Sequence, residues 1–78
     1  MEKLSKYDIY LISSLAQGAT LKQVRTILRS LGQKPNSESS VDKRLQYLRK
    51  KYQCKTNPHL VYNFRDQVIS LDMEKILK

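Results

Sequence analysis

The stretch SESSVDKRLQYLRKKY, residues 37–52, decides the fold. Its apolar residues recur at spacings of four, three and four, which is the narrow stripe of an amphipathic α-helix: Val41, Leu45, Leu48 and Tyr52. The opposite side of such a helix carries polar and charged side chains, namely Lys43, Gln46, Tyr47 and Lys50. We therefore predict a helix that buries one seam and exposes a cationic face.

Two further helices are predicted before this stretch. Ser5 is a suitable N-cap for the first, with Asp8 three positions later to complement the helix dipole, and Gly18 ends it. Thr20 caps the second helix, which ends at Gly32. Apolar residues recur at helical spacing in both, from Ile9 to Ala16 and from Leu21 to Leu31. Residues 33–37 are rich in turn formers and separate the second helix from the third.

A fourth helix is predicted after the boundary at residues 55–58. Pro58 suits the first turn of a helix, with Asn57 as its cap, and the amphipathic pattern continues to Leu71. Asp72 begins either a last partial turn or a short fifth helix. Nothing alternates with the period of a strand, and no repeat or linker divides the chain. The expected fold is all-α: a single domain over residues 1–78 with four helices, or five with a short C-terminal one.

The net charge of +8 is concentrated in the middle of the chain. Between Lys22 and Lys55 there are ten basic and two acidic side chains, whereas the charges of the two ends cancel. A local positive field of this kind attracts polyanions, and double-stranded DNA is the densest common one.

The composition argues against several other classes of protein. The polar N-terminal residues contain no signal peptide or membrane span, so we expect a cytoplasmic protein that does not bind membranes. With one histidine, scattered acids and no glycine-rich phosphate loop, no enzyme, cofactor or metal is expected. Cys54 and His59 alone do not make a zinc site, and we predict a buried thiol and an exposed imidazole.

Two helices, a turn and then a basic helix is the layout of a helix-turn-helix protein, in which the third helix (about residues 37–52) enters the DNA major groove. Gln46 can pair with adenine and Lys43 can donate to guanine. Tyr47 can pack on a thymine methyl group or bond a phosphate. Ser39 and its serine neighbours begin this helix and favour phosphate binding. Arg44 flanks the apolar stripe, where a long side chain can lie along the protein and still reach outward, and we predict that it contacts the DNA backbone, as does Ser39.

Three short motifs follow one another in the same order as in a known family. Leu15-Ala16-Gln17-Gly18 resembles an A-x-G helix end, and Thr20-Leu21-Lys22-Gln23-Val24 resembles the start S-x-K-E-I. Ser40-Val41-Asp42-Lys43-Arg44 resembles the start T-V-K-x-H of a recognition helix. Over residues 4–64 the chain is thus similar to the DNA-binding domain of LuxR-type transcriptional regulators, which is also the output domain of many bacterial response regulators. Its size suits a stand-alone member.

The sequence departs from the family pattern at three places. The turn between helices two and three is longer, Arg25 stands where the family has a small buried alanine, and Asp42 replaces a lysine that commonly contacts bases. The acid would be repelled by phosphate, although it can accept a hydrogen bond from a cytosine amine.

The resemblance implies functional residues along most of the chain. Base contacts would come from Asp42, Lys43 and Gln46. The DNA backbone would be held by Thr20, Lys22, Ser40, Lys50, Lys51, Lys55, Thr56 and Asn57. Helix four would pair two copies into a homodimer through Val61, Tyr62, Arg65 and Ile69, although Val61 also suits simple core packing. A bacterial, nucleoid-associated location is implied.

We therefore expect a sequence-specific DNA-binding transcriptional regulator. The alternative is a small protein-interaction module, an adaptor or anti-regulator that keeps the helical core without an operator, and it is favoured by Asp42, Arg25 and the long turn. RNA binding is a third option, but Tyr47 is the one aromatic residue expected on the outer face of helix three, which is too few for a stacking platform.

Overall fold

The computed structural model describes residues 3–77, and within that range the chain is helical with no strand. It forms five α-helices, α1 (Lys6–Ala16), α2 (Leu21–Ser30), α3 (Glu38–Lys51), α4 (Asn57–Asn63) and α5 (Met73–Ile76), with one 3₁₀ turn at Arg65–Gln67. The predicted all-α class is confirmed, including the short C-terminal helix. Residues 1, 2 and 78 of the predicted domain lie outside the described residues.

The first two helices begin at the caps that the sequence predicts, and the third begins within the predicted run of serines. The Ser5 hydroxyl accepts a hydrogen bond from the Asp8 N–H at 3.3 Å. Thr20 and Gln23 form a reciprocal capping box with bonds of 2.9 and 3.2 Å. Ser37 accepts from the Ser40 N–H at 3.2 Å. Each bond satisfies a backbone donor that lacks a partner inside its own helix, which fixes where the helix starts.

One hydrophobic core holds the helices together. Helix α1 packs against α2 and α4, α2 packs against α3 and α5, and α3 packs against α4. The seam of α3 is sealed, because Val41, Leu45 and Leu48 are all buried. At the end of this seam the ring of Tyr52 meets the ring of Phe64 edge-on, with 4.7 Å between the centroids. The stripe predicted from residues 37–52 is therefore the inner face of α3.

The fourth helix differs from its prediction at both ends. It begins at Thr56, whose hydroxyl accepts from the His59 N–H at 3.1 Å, so Asn57 is not the cap but the first helical residue. It ends at Asn63 and does not continue to Leu71. After the 3₁₀ turn, Val68 is extended, with φ −69° and ψ 134°.

Contacts with the start of the chain explain why the helix stops. The side-chain oxygen of Gln67 accepts from the Leu4 N–H at 2.8 Å, and the Ile69 N–H donates to the hydroxyl of buried Ser13 at 2.9 Å. A continuous helix would use the Ile69 N–H internally and leave the Ser13 hydroxyl without this donor. Residues 68–77, the C-terminal strap, instead lay apolar side chains on the core: Val68, Leu71, Met73, Ile76 and Leu77.

Alanine substitutions on the two sides of α3 should change the free energy of unfolding by different amounts. We expect Leu45→Ala to lower the free energy of unfolding by about 2–5 kcal/mol, because it leaves a cavity in the core. Lys50→Ala, on the exposed side of the same helix, should change it by less than about 0.5 kcal/mol. Urea denaturation followed by circular dichroism measures both, and equal losses would contradict the assignment of the inner face.

Candidate nucleic-acid interface

The outer face of α3, formed by Lys43, Gln46, Tyr47 and Lys50, is exposed along its length. Tyr47 keeps 49% of its surface accessible although it is aromatic. The arrangement follows from the sealed seam, since residues opposite a buried stripe must point away from the core. The four residues predicted to line the DNA-facing side therefore do share one exposed surface.

The lysines of this surface keep their charges uncompensated. No acidic side chain within residues 3–77 lies at salt-bridge distance from Lys43 or Lys50. Asp42, the acid nearest to them in the helix, instead accepts a hydrogen bond from the amide nitrogen of Gln46 at 2.8 Å. The surface can thus attract anions without first breaking an internal ion pair.

Arg44, predicted to contact the DNA backbone, lies along the protein toward α1 and stays partly accessible. Its Nε donates to Asp8 Oδ1 at 2.8 Å and its Nη2 donates to Oδ2 at 2.6 Å. The two side chains therefore form a bidentate ion pair. Asp8 is 3% exposed, whereas 39% of the Arg44 side chain remains accessible. The hydrogen bond to Asp8 raises the pKa of Arg44 above its ordinary value, so the guanidinium stays charged.

Tyr47 lies between two cations. The guanidinium carbon of Arg44 is 4.8 Å from the centre of its ring, and the Lys51 ammonium nitrogen is 5.8 Å from the same point. Both distances are within the range of cation–π attraction. Because Arg44 is itself held by Asp8, the contact limits the orientations open to the exposed ring.

A groove of about 500 Å³ runs beside this surface. The Lys43, Arg44 and Tyr47 side chains line one side, and Tyr7 and Pro35 line another. The Tyr7 hydroxyl donates to the Pro35 carbonyl at 2.7 Å, which ties the turn before α3 to α1. Burial raises the pKa of the Tyr7 hydroxyl further above its ordinary value. Sequence patterns missed Tyr7 and Pro35, because the bond joins residues 28 positions apart.

The serines at the start of α3 have different roles. The Ser37 hydroxyl donates to the Ser40 hydroxyl at 2.8 Å while it caps the helix, so these two groups already have partners. Ser39 is exposed and Ser40 is half-buried beside the groove. Of the serines predicted to contact phosphate, Ser39 is therefore the more accessible.

The other predicted backbone contacts lie at the starts of two helices and at the end of a third. Thr20 and Lys22 are exposed at the start of α2, with the Thr20 hydroxyl engaged in the capping box. Lys50 and Lys51 are exposed in the last turn of α3, where the Lys51 ammonium also lies 5.4 Å from the Tyr52 ring centre.

The third group stands at the start of α4. Lys55 and Thr56 are exposed there. Asn57 is half-buried, and its side-chain oxygen accepts a hydrogen bond from Arg49 of α3. The Asn57 oxygen thus already has a partner inside the protein, which makes this residue a weaker phosphate contact than its two neighbours.

The residues predicted to form a dimer do not share one helix, because α4 ends at Asn63. Val61 and Tyr62 are on α4, Arg65 is in the 3₁₀ turn, and Ile69 is in the strap. The first three line an apolar groove of about 570 Å³, which Ile69 does not line. The Arg65 guanidinium stacks 4.2 Å from the Tyr62 ring centre, and Tyr62 is 64% exposed.

The cysteine and histidine behave as predicted. Cys54 is buried, and burial raises the pKa of its thiol. His59 is exposed, and its Nδ1 accepts from the Lys55 N–H at 3.3 Å. Residues 3–77 contain no cluster of three or more His, Cys, Asp or Glu side chains placed to bind a metal ion. No helix in the same range has the length and apolar character needed to cross a bilayer.

Comparison with known proteins adds no relative. Neither the models of protein families, nor the curated proteins, nor the solved structures contain a match to this chain. The similarity to LuxR-type domains therefore rests on the motifs in the sequence and stays a prediction.

Removing Arg44 and removing Asp8 should lower the free energy of unfolding by different amounts. We expect Arg44→Ala to cost about 1–3 kcal/mol, because it leaves the Asp8 carboxylate buried without its partner. Asp8→Ala should cost less, because water reaches Arg44. Urea denaturation of both variants and of the double variant gives the coupling energy, expected at roughly 1 kcal/mol or more. Arg29→Ala, an exposed arginine on α2, is the control; additive losses would contradict a direct interaction.

Proposed function

We propose that this protein binds double-stranded DNA sequence-specifically and acts as a small transcriptional regulator, with α3 lying in the major groove. The observation that carries the proposal is the outer face of α3, where two lysines with no acidic partner among residues 3–77 flank a glutamine and an aromatic ring. A helix of this polarity fits the dimensions of the groove, and its side chains match the donors and acceptors on base edges.

The distribution of basic residues supports the same proposal. Exposed cations at the start of α2, the end of α3 and the start of α4 provide the phosphate contacts that position such a helix. Lys22, Lys50 and Lys55 are examples, and each would release counterions from the DNA. The resemblance to LuxR-type regulators points to the same partner from the motifs alone, in a bacterial nucleoid.

The proposal includes a homodimer. The apolar groove at α4 presents Tyr62 and Arg65, residue types that are enriched among those that dominate binding energy at interfaces. Pairing through this groove would give two recognition helices for paired half-sites. The same groove also favours the second candidate function, a protein-interaction module, if its occupant is a different protein.

The affinity for DNA should depend strongly on charge and should fall as salt is added or as single lysines are removed. We expect the protein to bind fluorescently labelled duplexes at low salt, with an association constant that falls linearly with salt on logarithmic axes. Lys50→Ala should weaken binding to all sequences alike and reduce that slope by about 1. Fluorescence anisotropy across a salt series measures both quantities.

Lys75→Ala is the matched control, since this lysine is also exposed but lies on α5, outside the basic segment. Its salt slope should equal that of the wild type. Absence of binding at low salt, or an unchanged slope for Lys50→Ala together with Lys43→Ala, would reject the proposal. Capture of one tight protein partner that DNA does not displace would favour the interaction module instead.

The oligomeric state gives a separate test. We expect light scattering after size-exclusion chromatography to detect twice the chain mass at high concentration, and Tyr62→Ala to shift the mass toward the monomer because it removes an exposed anchor. Ile69→Ala, outside the groove, should leave it unchanged. A monomer at every concentration, with or without DNA, would rule out pairing through α4.

A further inference from the structure

Two side chains of α3, Asp42 and Gln46, are joined by a hydrogen bond. The amide nitrogen of Gln46 donates to Asp42 Oδ2 at 2.8 Å across one helical turn. Asp42 is half-buried and Gln46 is exposed, so the carboxylate forms the inner and the amide the outer member of the pair. On an isolated helix such a pair would contribute only to helix stability. Here its outer member, Gln46, lies on the surface proposed to meet DNA, and Asp42 lies at the edge of that surface.

The bond fixes which way the amide faces. An ionised carboxylate can only accept hydrogen bonds, so the amide must present its nitrogen, not its oxygen, to Asp42. An amide nitrogen carries two hydrogens, of which this bond uses one. Gln46 therefore keeps one N–H donor and its Oε1 acceptor for an external partner, and the side chain that carries them is already oriented.

We propose that Gln46 recognises adenine in the major groove and that Asp42 is a positioning residue that holds the amide ready. This inference rests on the proposed function. Adenine offers the N7 acceptor and the N6 amine donor side by side, which an amide matches with its remaining N–H and Oε1. Guanine offers two acceptors, and cytosine and thymine each offer a single polar group there, so none of them satisfies both.

This assignment changes the role expected for Asp42. As a direct base contact it would bring a negative charge toward the phosphates, and its Oδ2 already has a partner. As a positioning residue it lowers the ordering that Gln46 must undergo on binding, which favours recognition without touching the base. The acid that departs from the family pattern thereby gains a function in this chain.

The test compares base analogues and variants. Site selection from random duplexes with the wild type and with Gln46→Ala identifies the adenine whose preference disappears. Anisotropy is then measured on that duplex and on two versions in which the selected adenine is replaced. One carries 7-deazaadenine, which lacks N7, and the other carries the unsubstituted purine base, which lacks the N6 amine. We expect each analogue to weaken wild-type binding about tenfold and Gln46→Ala to be indifferent to both.

The role of Asp42 is tested by comparing a variant that removes the acceptor with one that keeps it. Asp42→Ala should lose most of the discrimination between adenine and the analogues, while its binding to unrelated duplexes stays equal or becomes tighter because a negative charge is removed. Asp42→Asn keeps an acceptor oxygen for Gln46 and should retain the discrimination. Thermal melts should show that all variants remain folded, since a purely structural role would not change the response to base analogues.

The outcomes separate the two levels of the proposal. If the wild type binds no duplex at low salt, the proposed function fails and this inference fails with it. If it binds, but Gln46→Ala selects the same adenine or Asp42→Ala discriminates as well as the wild type, the inference alone is overturned. Loss of discrimination in Asp42→Ala with recovery in Asp42→Asn supports it.

Discussion

The ion pair between Asp8 and Arg44 is the constraint on which the candidate interface depends. Helix α3 is held to the core by its buried seam of Val41, Leu45 and Leu48, whose apolar contacts have no directional preference. The bidentate ion pair, at 2.6 and 2.8 Å, joins one flank of α3 to α1 and adds directional contacts to that seam. Buried ion pairs often add little net stability, because the charges must leave water. The contribution of this pair is therefore mainly to orientation.

Orientation matters here because the exposed surface is narrow. Arg44 is adjacent in sequence to Lys43 and close to Tyr47, whose ring it contacts. Fixing its guanidinium thus limits the positions open to the Tyr47 ring on the exposed side of the helix. The Tyr7–Pro35 bond acts in the same region by holding the turn that leads into α3. A surface meant to match base edges needs such support, since small displacements remove hydrogen bonds.

Sequence reasoning succeeded where the determinants are local. The caps at Ser5 and Thr20 and the stripe of α3 depend on residues within one or two turns, so the local sequence was enough to predict them. It failed at the end of α4, where the pattern to Leu71 suits a helix, but the Ile69 N–H of an extended strap donates to Ser13 and the Gln67 side chain accepts from the Leu4 N–H. It also missed the inward turn of Arg44, because Asp8 lies 36 positions away and no local pattern joins them. The exposed face was predictable; the interactions that hold it were not.

The bond from Leu4 to Gln67 has a consequence for how the molecule reaches its final form. It joins backbone and side chain across 63 positions, so it closes almost the whole chain into a loop. Closing a loop of that size is entropically unfavourable until nearby helices have packed. During synthesis on the ribosome, α1, α2 and α3 can associate early, whereas the hydrogen bond between Leu4 and Gln67 can form only after residue 67 has emerged.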